Sequence, residues 1–105
     1  MNLIIETEFQ TGGYEAITVN TAIGFTASEI RPTTGDFAGH TCQAIFATLE
    51  TDSIRFTLDG TTPSSTVGHL LTNGQNLTIK NANDIAKFRA IKVTANASLK
   101  VTYKF

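Results

Sequence analysis

The sequence predicts an all-β protein, an antiparallel β-sandwich or jelly roll, formed by a single domain over residues 1–105 with one short helix. Three observations lead to this prediction. Apolar and polar residues alternate with a period of two through most of the chain, as is typical of strands with one buried face. Threonine, which favours strands, is the commonest residue type. Turn signals containing Gly, Asn, Asp or Pro separate the alternating runs.

The first half of the chain is expected to hold a series of strand-like runs with apolar residues at alternate positions. We place these runs at residues 3–9, 14–19, 22–32, 41–50 and 53–59. A break at Gly12 and Gly13 separates the first two runs, and residues 33–40 have the Gly, Asp and Thr content of a loop. Runs 41–50 and 53–59 are the clearest pair of strands. The inward positions of the last run are Ile54, Phe56 and Leu58.

The second half contains the strongest turn signal of the chain and its one helical candidate. Asn73 and Gly74 lie between two alternating runs, and this dipeptide predicts a hairpin. Residues 81–88 predict a helix of at most two turns, capped by Asn81 or Asn83.

The chain is expected to close with a hairpin formed by residues 90–96 and 98–105 and joined at Asn96 and Ala97. Its inner face would carry Ile91, Val93, Leu99, Val101, Tyr103 and Phe105. Its outer face would carry Lys92, Lys100 and Lys104. Alternation within each strand is the basis of both assignments.

The net charge of −1 hides an uneven distribution, because six of the eight Lys and Arg residues lie between residues 80 and 105. One hypothesis is a basic protein-interface stripe that meets an acidic surface on another protein or another copy. Its members would be Arg89, Lys92, Lys100 and Lys104. The alternative is that these cations only protect strand edges from aggregation or pair with acidic strands of the same chain.

No nucleic-acid partner is expected. The net charge is close to zero, so the chain as a whole generates no basic field. The outward face of the last hairpin has no aromatic residues between its lysines, which a stacking platform requires.

Residues 57–71 contain serine, histidine and aspartate, which raises the question of a hydrolase site. The candidates would be Ser64 or Ser65 as nucleophile, His69 as base and Asp59 as its orienting partner. A catalytic serine needs a rigid mount such as the G-x-S-x-G turn and nearby oxyanion donors. Here the serines follow a proline in a loop of small polar residues. We therefore expect a connection between strands, with a turn at Asp59 and Gly60 and no catalytic residue.

His40, Cys42 and His69 are residue types that could together bind a metal ion. His40 and Cys42 would share one face of a strand, but the spacing of the three residues matches no known class of metal site. The single cysteine excludes an internal disulfide, and we expect Cys42 to behave as a small buried hydrophobe. The prediction is no metal and no cofactor.

The apolar runs of the sequence are short. None approaches the length of roughly 18 residues that a membrane-spanning helix needs. The first ten residues lack the basic start and long apolar stretch of a signal peptide. We expect synthesis in a cytoplasm and no membrane partner.

Residues 54–105 carry motifs that occur together, in this order, in another group of proteins. They are a strand ending in IRFTLDGTTP, a Ser/Thr connection, VGH with an apolar pair, a turn into LTI, a helical segment, and strands like FRAIKV and LKVTYKF. This half of the chain resembles small virion proteins of tailed bacteriophages. The resemblance implies a non-enzymatic structural protein, made in the host bacterial cytoplasm and located in the virion.

This resemblance also implies the kind of partner. A capsid decoration (cement) protein would bind the major capsid protein or other virion proteins, as a homo-oligomer or in many copies per particle. A neck, tail or baseplate component is the alternative within the virion.

A second, shorter resemblance covers residues 55–64, RFTLDGTTPS. This stretch is similar to a strand of the β-sandwich modules attached to chitobiases and other secreted glycosidases. The resemblance implies a carbohydrate-binding module with Tyr14 and Tyr103 as candidate sugar-stacking residues. Tyr103 alternates with core positions, which argues against its use as a sugar platform.

Overall fold

The computed structural model describes residues 9–105, which form two antiparallel sheets with a common core. In chain order the elements are β1 Thr11–Val19, α1 Ala27–Ile30, β2 Ala44–Glu50, β3 Ile54–Thr57, β4 His69–Leu71, β5 Asn76–Ile79, α2 Ala82–Lys87, β6 Arg89–Lys92 and β7 Ala97–Lys104. The predicted all-β, sandwich-like class is confirmed. The run predicted at residues 3–9 lies outside the described residues except for Phe9.

The larger sheet has the strand order β1-β7-β2-β5, and the smaller sheet has the order β4-β3-β6. β7 is the centre of the larger sheet, since it pairs with β1 on one side and with β2 on the other. Its inward side chains are at most 2% exposed, as the alternation predicted, and they are Ala97, Leu99, Val101 and Tyr103. Burial of this row by both neighbouring strands and by the opposite sheet holds the two sheets together.

Aromatic rings close the core on the side of the smaller sheet. Phe88 stacks on Phe25 with ring centroids 4.2 Å apart and lies 5.8 Å from the ring of Phe56. Phe25 also meets Tyr103 edge to face at 5.9 Å. These offset and perpendicular contacts are the arrangements that aromatic pairs prefer.

The predicted helix is present as α2, and its cap is Asn81. The side-chain oxygen of Asn81 accepts the backbone N–H groups of Asn83 at 2.9 Å and Asp84 at 3.0 Å. Ile85 and Phe88 are buried on the inward side, as the pattern predicted. The helical turn α1 was not predicted, because the run 22–32 has the apolar content of a strand.

The glycine pair near the N-terminus lies inside β1, so the predicted break at this point is wrong. The register of β1 against β7 shifts between Thr11 and Gly13. A Cβ atom at Gly12 would lie 2.5 Å from the ring of Phe105, and a Cβ at Gly13 would lie 2.7 Å from a carboxylate oxygen of Glu29. At Gly12 the backbone thus lies close against the aromatic rings of Phe105 and Phe37, at Gly13 the close atom is the movable end of a side chain, and neither glycine ends the strand.

The predicted closing hairpin is wrong, because its two strands belong to different sheets. β6 pairs with β3 in the smaller sheet, whereas β7 lies in the larger one. Ala90, 1% exposed, lies opposite Phe56. The small Ala90 fills the inward position beside the aromatic rings, which turns Ile91 to the outer face and places Lys92 opposite the buried Ile54.

The Asn-Gly signal correctly predicts a turn but not a hairpin. The strands on either side of it separate, since β4 pairs with β3 and β5 pairs with β2. The turn itself is bound by the end of β2. The N–H of Gly74 donates to the carbonyl of Leu49 at 2.9 Å, and the N–H of Leu49 donates to the carbonyl of Gln75 at 3.0 Å. These bonds direct the chain from one sheet to the other.

Candidate functional site

The segment between β3 and β4, residues 58–68, is a loop whose first turn is held by Asp59. The Asp59 carboxylate accepts the N–H of Thr61 at 3.0 Å, and Gly60 has a φ of +87°. Hydrogen bonds from the side chain and the backbone of Thr61 hold the pKa of the Asp59 carboxyl below its usual range. This is the Asx turn that the sequence predicted.

The second turn of the loop uses the hydroxyl of Ser64. Its Oγ accepts the N–H of Thr66 at 3.2 Å and that of Val67 at 3.1 Å. The ring of His69 packs against Phe56, with centroids 5.4 Å apart. The side chains weighed as a hydrolase triad thus have separate contacts, and none of these contacts joins the serine to the histidine.

Arg55 fastens this loop to the outer surface of the smaller sheet. Its guanidinium donates to the carbonyl of Ser65 at 3.3 Å and to that of Gly68 at 3.1 Å. Thr57 donates from its hydroxyl to the carbonyl of Thr61 at 2.5 Å and is only 7% exposed. These hydrogen bonds therefore hold the loop against the outer surface of the smaller sheet.

The three residues weighed as metal ligands have different environments. Cys42 is fully buried, its thiol donates to the carbonyl of Ala44 at 3.1 Å, and burial raises the pKa of that thiol. The predicted role of Cys42 as a small buried hydrophobe is confirmed. His40 lies in a loop with its ring edge-on to Phe37 at 6.1 Å. Within residues 9–105, no group of three or more His, Cys, Asp or Glu side chains is placed to hold a metal ion.

The four cations form two separate groups, so the prediction that they share one stripe is wrong, while their role at a protein interface stays a prediction. Arg89 and Lys92 belong to β6, an outer strand of the smaller sheet, and Lys87 ends the helix just before it. We call these three residues the β6 basic edge. Lys100 and Lys104 lie on the outer face of β7 in the larger sheet. The separation follows from the assignment of β6 and β7 to different sheets.

The outer face of the larger sheet combines these two lysines with two exposed aromatic side chains. Thr102 of β7 is paired with Tyr14 on one side and with Phe46 on the other. Tyr14 is 61% exposed and Phe46 is 42% exposed. We call Tyr14, Phe46, Lys100, Thr102 and Lys104 the aromatic–lysine face.

The dimensions of the aromatic–lysine face follow from strand geometry. Tyr14 and Phe46 are two strand spacings apart, so their backbones are about 10 Å from each other. Lys100 and Lys104 stand two residues before and after Thr102, so their backbones are about 14 Å apart along β7. We call the line from Tyr14 through Thr102 to Phe46, which runs across the strands, the aromatic row. The line from Lys100 to Lys104 runs along β7 and crosses the aromatic row at Thr102.

Small polar residues surround this crossing point. The register places Thr48 and Asn76 in the row of Lys100, and Thr78 beyond Phe46 in the aromatic row. Glu50 lies opposite Ser98 at one end of the face. Hydroxyl and amide groups are thus available beside Lys100 and beyond Phe46.

Sequence reasoning did not identify Phe46 as a surface residue. The signal was present, because Ile45, Ala47 and Leu49 alternate inward and leave Phe46 on the opposite face. Along β7 itself, no aromatic residue lies on the outer face between Lys100 and Lys104. The rings of Tyr14 and Phe46 come from β1 and β2, and only the strand pairing shows that these strands lie beside β7. Tyr103 is fully buried, as its alternation indicated.

Among residues 9–105, the helices are too short and too polar to span a membrane. Comparisons of the chain with protein-family models, with curated proteins and with solved structures found no match. The resemblance to phage virion proteins therefore stays a prediction.

Proposed function

We propose that this chain is a non-enzymatic structural protein of a tailed-bacteriophage particle and that it decorates the capsid. The observation that carries the proposal is the structure of the loop that follows β3. Several of the residues that carry the resemblance to phage virion proteins also form the turns and hydrogen bonds of this loop. They include Arg55, Asp59, Gly60, Ser64 and Gly68. The polar groups of this motif hold the loop on its own sheet. This use of the motif supports a structural role for the protein.

The β6 basic edge is the surface we propose for contact with the particle. Lys87 ends the helix before β6, and Arg89 and Lys92 lie three residues apart on β6, so their side chains leave opposite faces of this outer strand along its edge. Such a surface complements an acidic region of the major capsid protein or of another virion protein. Many copies on one particle, or a homo-oligomer, make a modest contact per copy sufficient through avidity. The protein would be made in the host bacterial cytoplasm and act in the virion.

Immunogold labelling of particles of the encoding phage, viewed by electron microscopy, tests this function. Label spread over the head is the expected result. Label confined to the neck, tail or baseplate would retain a structural role and replace the capsid assignment with the alternative one. Particles that carry no label, intact or disrupted, would refute the virion assignment.

The contact surface is tested by the double variant Arg89→Gln and Lys92→Gln. We expect fewer copies per head than for the unmodified protein at low salt, and a difference that shrinks as the salt concentration rises, because salt screens the charge contact that the unmodified protein makes. The matched control is Lys100→Gln with Lys104→Gln, which removes the same charge from the opposite sheet. Equal loss of copies in both double variants would contradict the assignment to the β6 basic edge.

A further inference from the structure

On the aromatic–lysine face, the rings of Tyr14 and Phe46 belong to residues that pair with the same residue of β7, Thr102. Tyr14 and Phe46 flank Thr102 and are held by three paired strands, so their backbone separation of about 10 Å is set by the sheet. Aromatic rings present apolar faces on which the C–H faces of sugar rings can stack. In an extended β-linked glycan, alternate sugars present the same face at a similar repeat. Two such sugars could therefore occupy the two rings at once.

The lysines lie on opposite sides of the aromatic row. Lys100 is two residues before Thr102 and Lys104 is two residues after it. A glycan chain that follows the row would thus meet one cation on each side. In a β-linked polyuronate with a two-fold repeat, successive carboxylates project to alternate sides of the chain, which complements this placement. A single nucleic-acid strand stacked on the rings would carry its phosphates along one edge and would meet one lysine only.

Hydrogen-bonding groups complete the surface. Thr102 lies between the rings, Thr78 extends the aromatic row beyond Phe46, and Thr48 and then Asn76 follow Lys100 on the β2 side. Sugar hydroxyls both donate and accept hydrogen bonds, and these side chains can do the same. The face thus combines apolar rings, cations and small polar groups, which match the C–H faces, the carboxylates and the hydroxyls of an acidic glycan.

We infer that the aromatic–lysine face binds an extended, carboxylate-bearing glycan, with alternate sugars on Tyr14 and Phe46 and carboxylates at Lys100 and Lys104. This binding function is additional to the proposed structural role and does not depend on it. A protein placed on a particle by its β6 basic edge would keep the opposite sheet free to adhere to an acidic polysaccharide.

The test is a titration of the full chain with three probes of similar length: oligomannuronate, a neutral cello-oligosaccharide and oligothymidylate. NMR shift changes and calorimetry report the binding. Oligomannuronate should bind and shift the signals of β1, β2 and β7. Tyr14→Ala and Phe46→Ala should each weaken this binding about tenfold, the effect of losing one stacked contact. Tyr14→Phe should retain it, because the ring remains.

The charge requirement is tested with Lys100→Gln combined with Lys104→Gln. This variant should bind oligomannuronate more weakly and with less dependence on salt. The control Leu70→Ala alters a side chain that is 49% exposed on the smaller sheet and should leave the affinity unchanged. No binding of oligomannuronate, or equal binding by the alanine variants at positions 14 and 46, would overturn the inference. Tighter binding of oligothymidylate than of oligomannuronate would overturn it in favour of single-stranded nucleic acid.

Discussion

The phenol of Tyr103, fully buried at the end of the central strand, donates a hydrogen bond to the carboxylate of Glu15 on β1. The other oxygen of that carboxylate accepts the hydroxyl of Thr26 at 2.9 Å. The contact joins residues 88 positions apart in the sequence. It satisfies the one polar group of a side chain that otherwise lies among apolar neighbours.

Replacing Tyr103 with phenylalanine should lower the free energy of unfolding at neutral pH by about 1–3 kcal/mol, because the Glu15 carboxylate loses a partly buried donor. Urea unfolding followed by circular dichroism measures the change. Tyr14→Phe removes a hydroxyl from a side chain that is 61% exposed and is the matched control, with little expected effect. Equal stability of the two variants would contradict a structural role for the Tyr103 hydrogen bond.

The same contact predicts a specific response to alkaline pH. Burial raises the pKa of Tyr103 well above its ordinary value, and the hydrogen bond to Glu15 raises it further. An unfolded tyrosine titrates near pH 10, so the stabilisation is complete below about pH 10 and decreases as the pH rises above it. Unfolding curves recorded from neutral pH to above pH 10 should show a steeper loss for the unmodified protein than for Tyr103→Phe. Parallel curves would be inconsistent with this titration.

The cap of α2 gives a direct test between two neighbouring asparagines. Asn81→Ala removes the oxygen that accepts two backbone N–H groups and should cost about 1 kcal/mol of stability. Asn83→Ala leaves this cap in place and should be close to neutral. Both changes are measured by the shift of the thermal midpoint. A larger effect at Asn83 than at Asn81 would show that the cap is assigned to the wrong residue.

Gly60 and Gly68 of the β3–β4 loop should differ in their tolerance of alanine. Gly68 has a φ of +118°, and a Cβ there would lie 2.9 Å from the carbonyl oxygen of Phe56. Gly60 has a φ of +87° with open space around the position of a Cβ. Gly60→Ala should cost only the backbone strain of about 1–2 kcal/mol. Gly68→Ala should cost more in urea unfolding, and an equal cost would mean that the close approach relaxes freely.

Cys42 provides a reporter of unfolding. Its thiol is fully buried and its pKa is raised by burial, so a thiol reagent at mildly alkaline pH should react slowly with the folded chain. In denaturant the reaction should be fast. The Tyr103→Phe variant should react faster than the unmodified protein under native conditions, because it opens more often. Equally fast labelling with and without denaturant would contradict the burial of this thiol.

Local features of the sequence predicted local features of the structure. The alternation of Leu99, Val101 and Tyr103 predicted a buried face of β7, and each of these residues is at most 1% exposed. Asn81 and the run after it predicted the capped helix. The dipeptide of Asn73 and Gly74 predicted a turn. Each of these predictions depends on backbone geometry within a few residues, which the neighbouring side chains determine.

The sequence alone predicted only part of the aromatic–lysine face. Alternation placed Lys100 and Lys104 on an outer face, whereas the aromatic residues beside them come from strands far away in the chain. Tyr14 reaches Thr102 only because β1 pairs with β7, and Phe46 only because β2 pairs with its other side. The period of a strand tells which residues share a face, but not which strand lies next to it.

By itself, the sequence of this protein determined an all-β chain, the capped helix α2, turns at Asn73–Gly74 and Asp59–Gly60, and a buried cysteine. The tertiary structure decided which strands pair, and with that the separation of Arg89 and Lys92 from Lys100 and Lys104. The physical reason lies in the core. The buried Ala90 lies opposite Phe56, whose ring stacks on Phe88, whereas the alternation in β6 alone indicated an inward Ile91. Long-range packing outweighs local alternation in a strand of four residues.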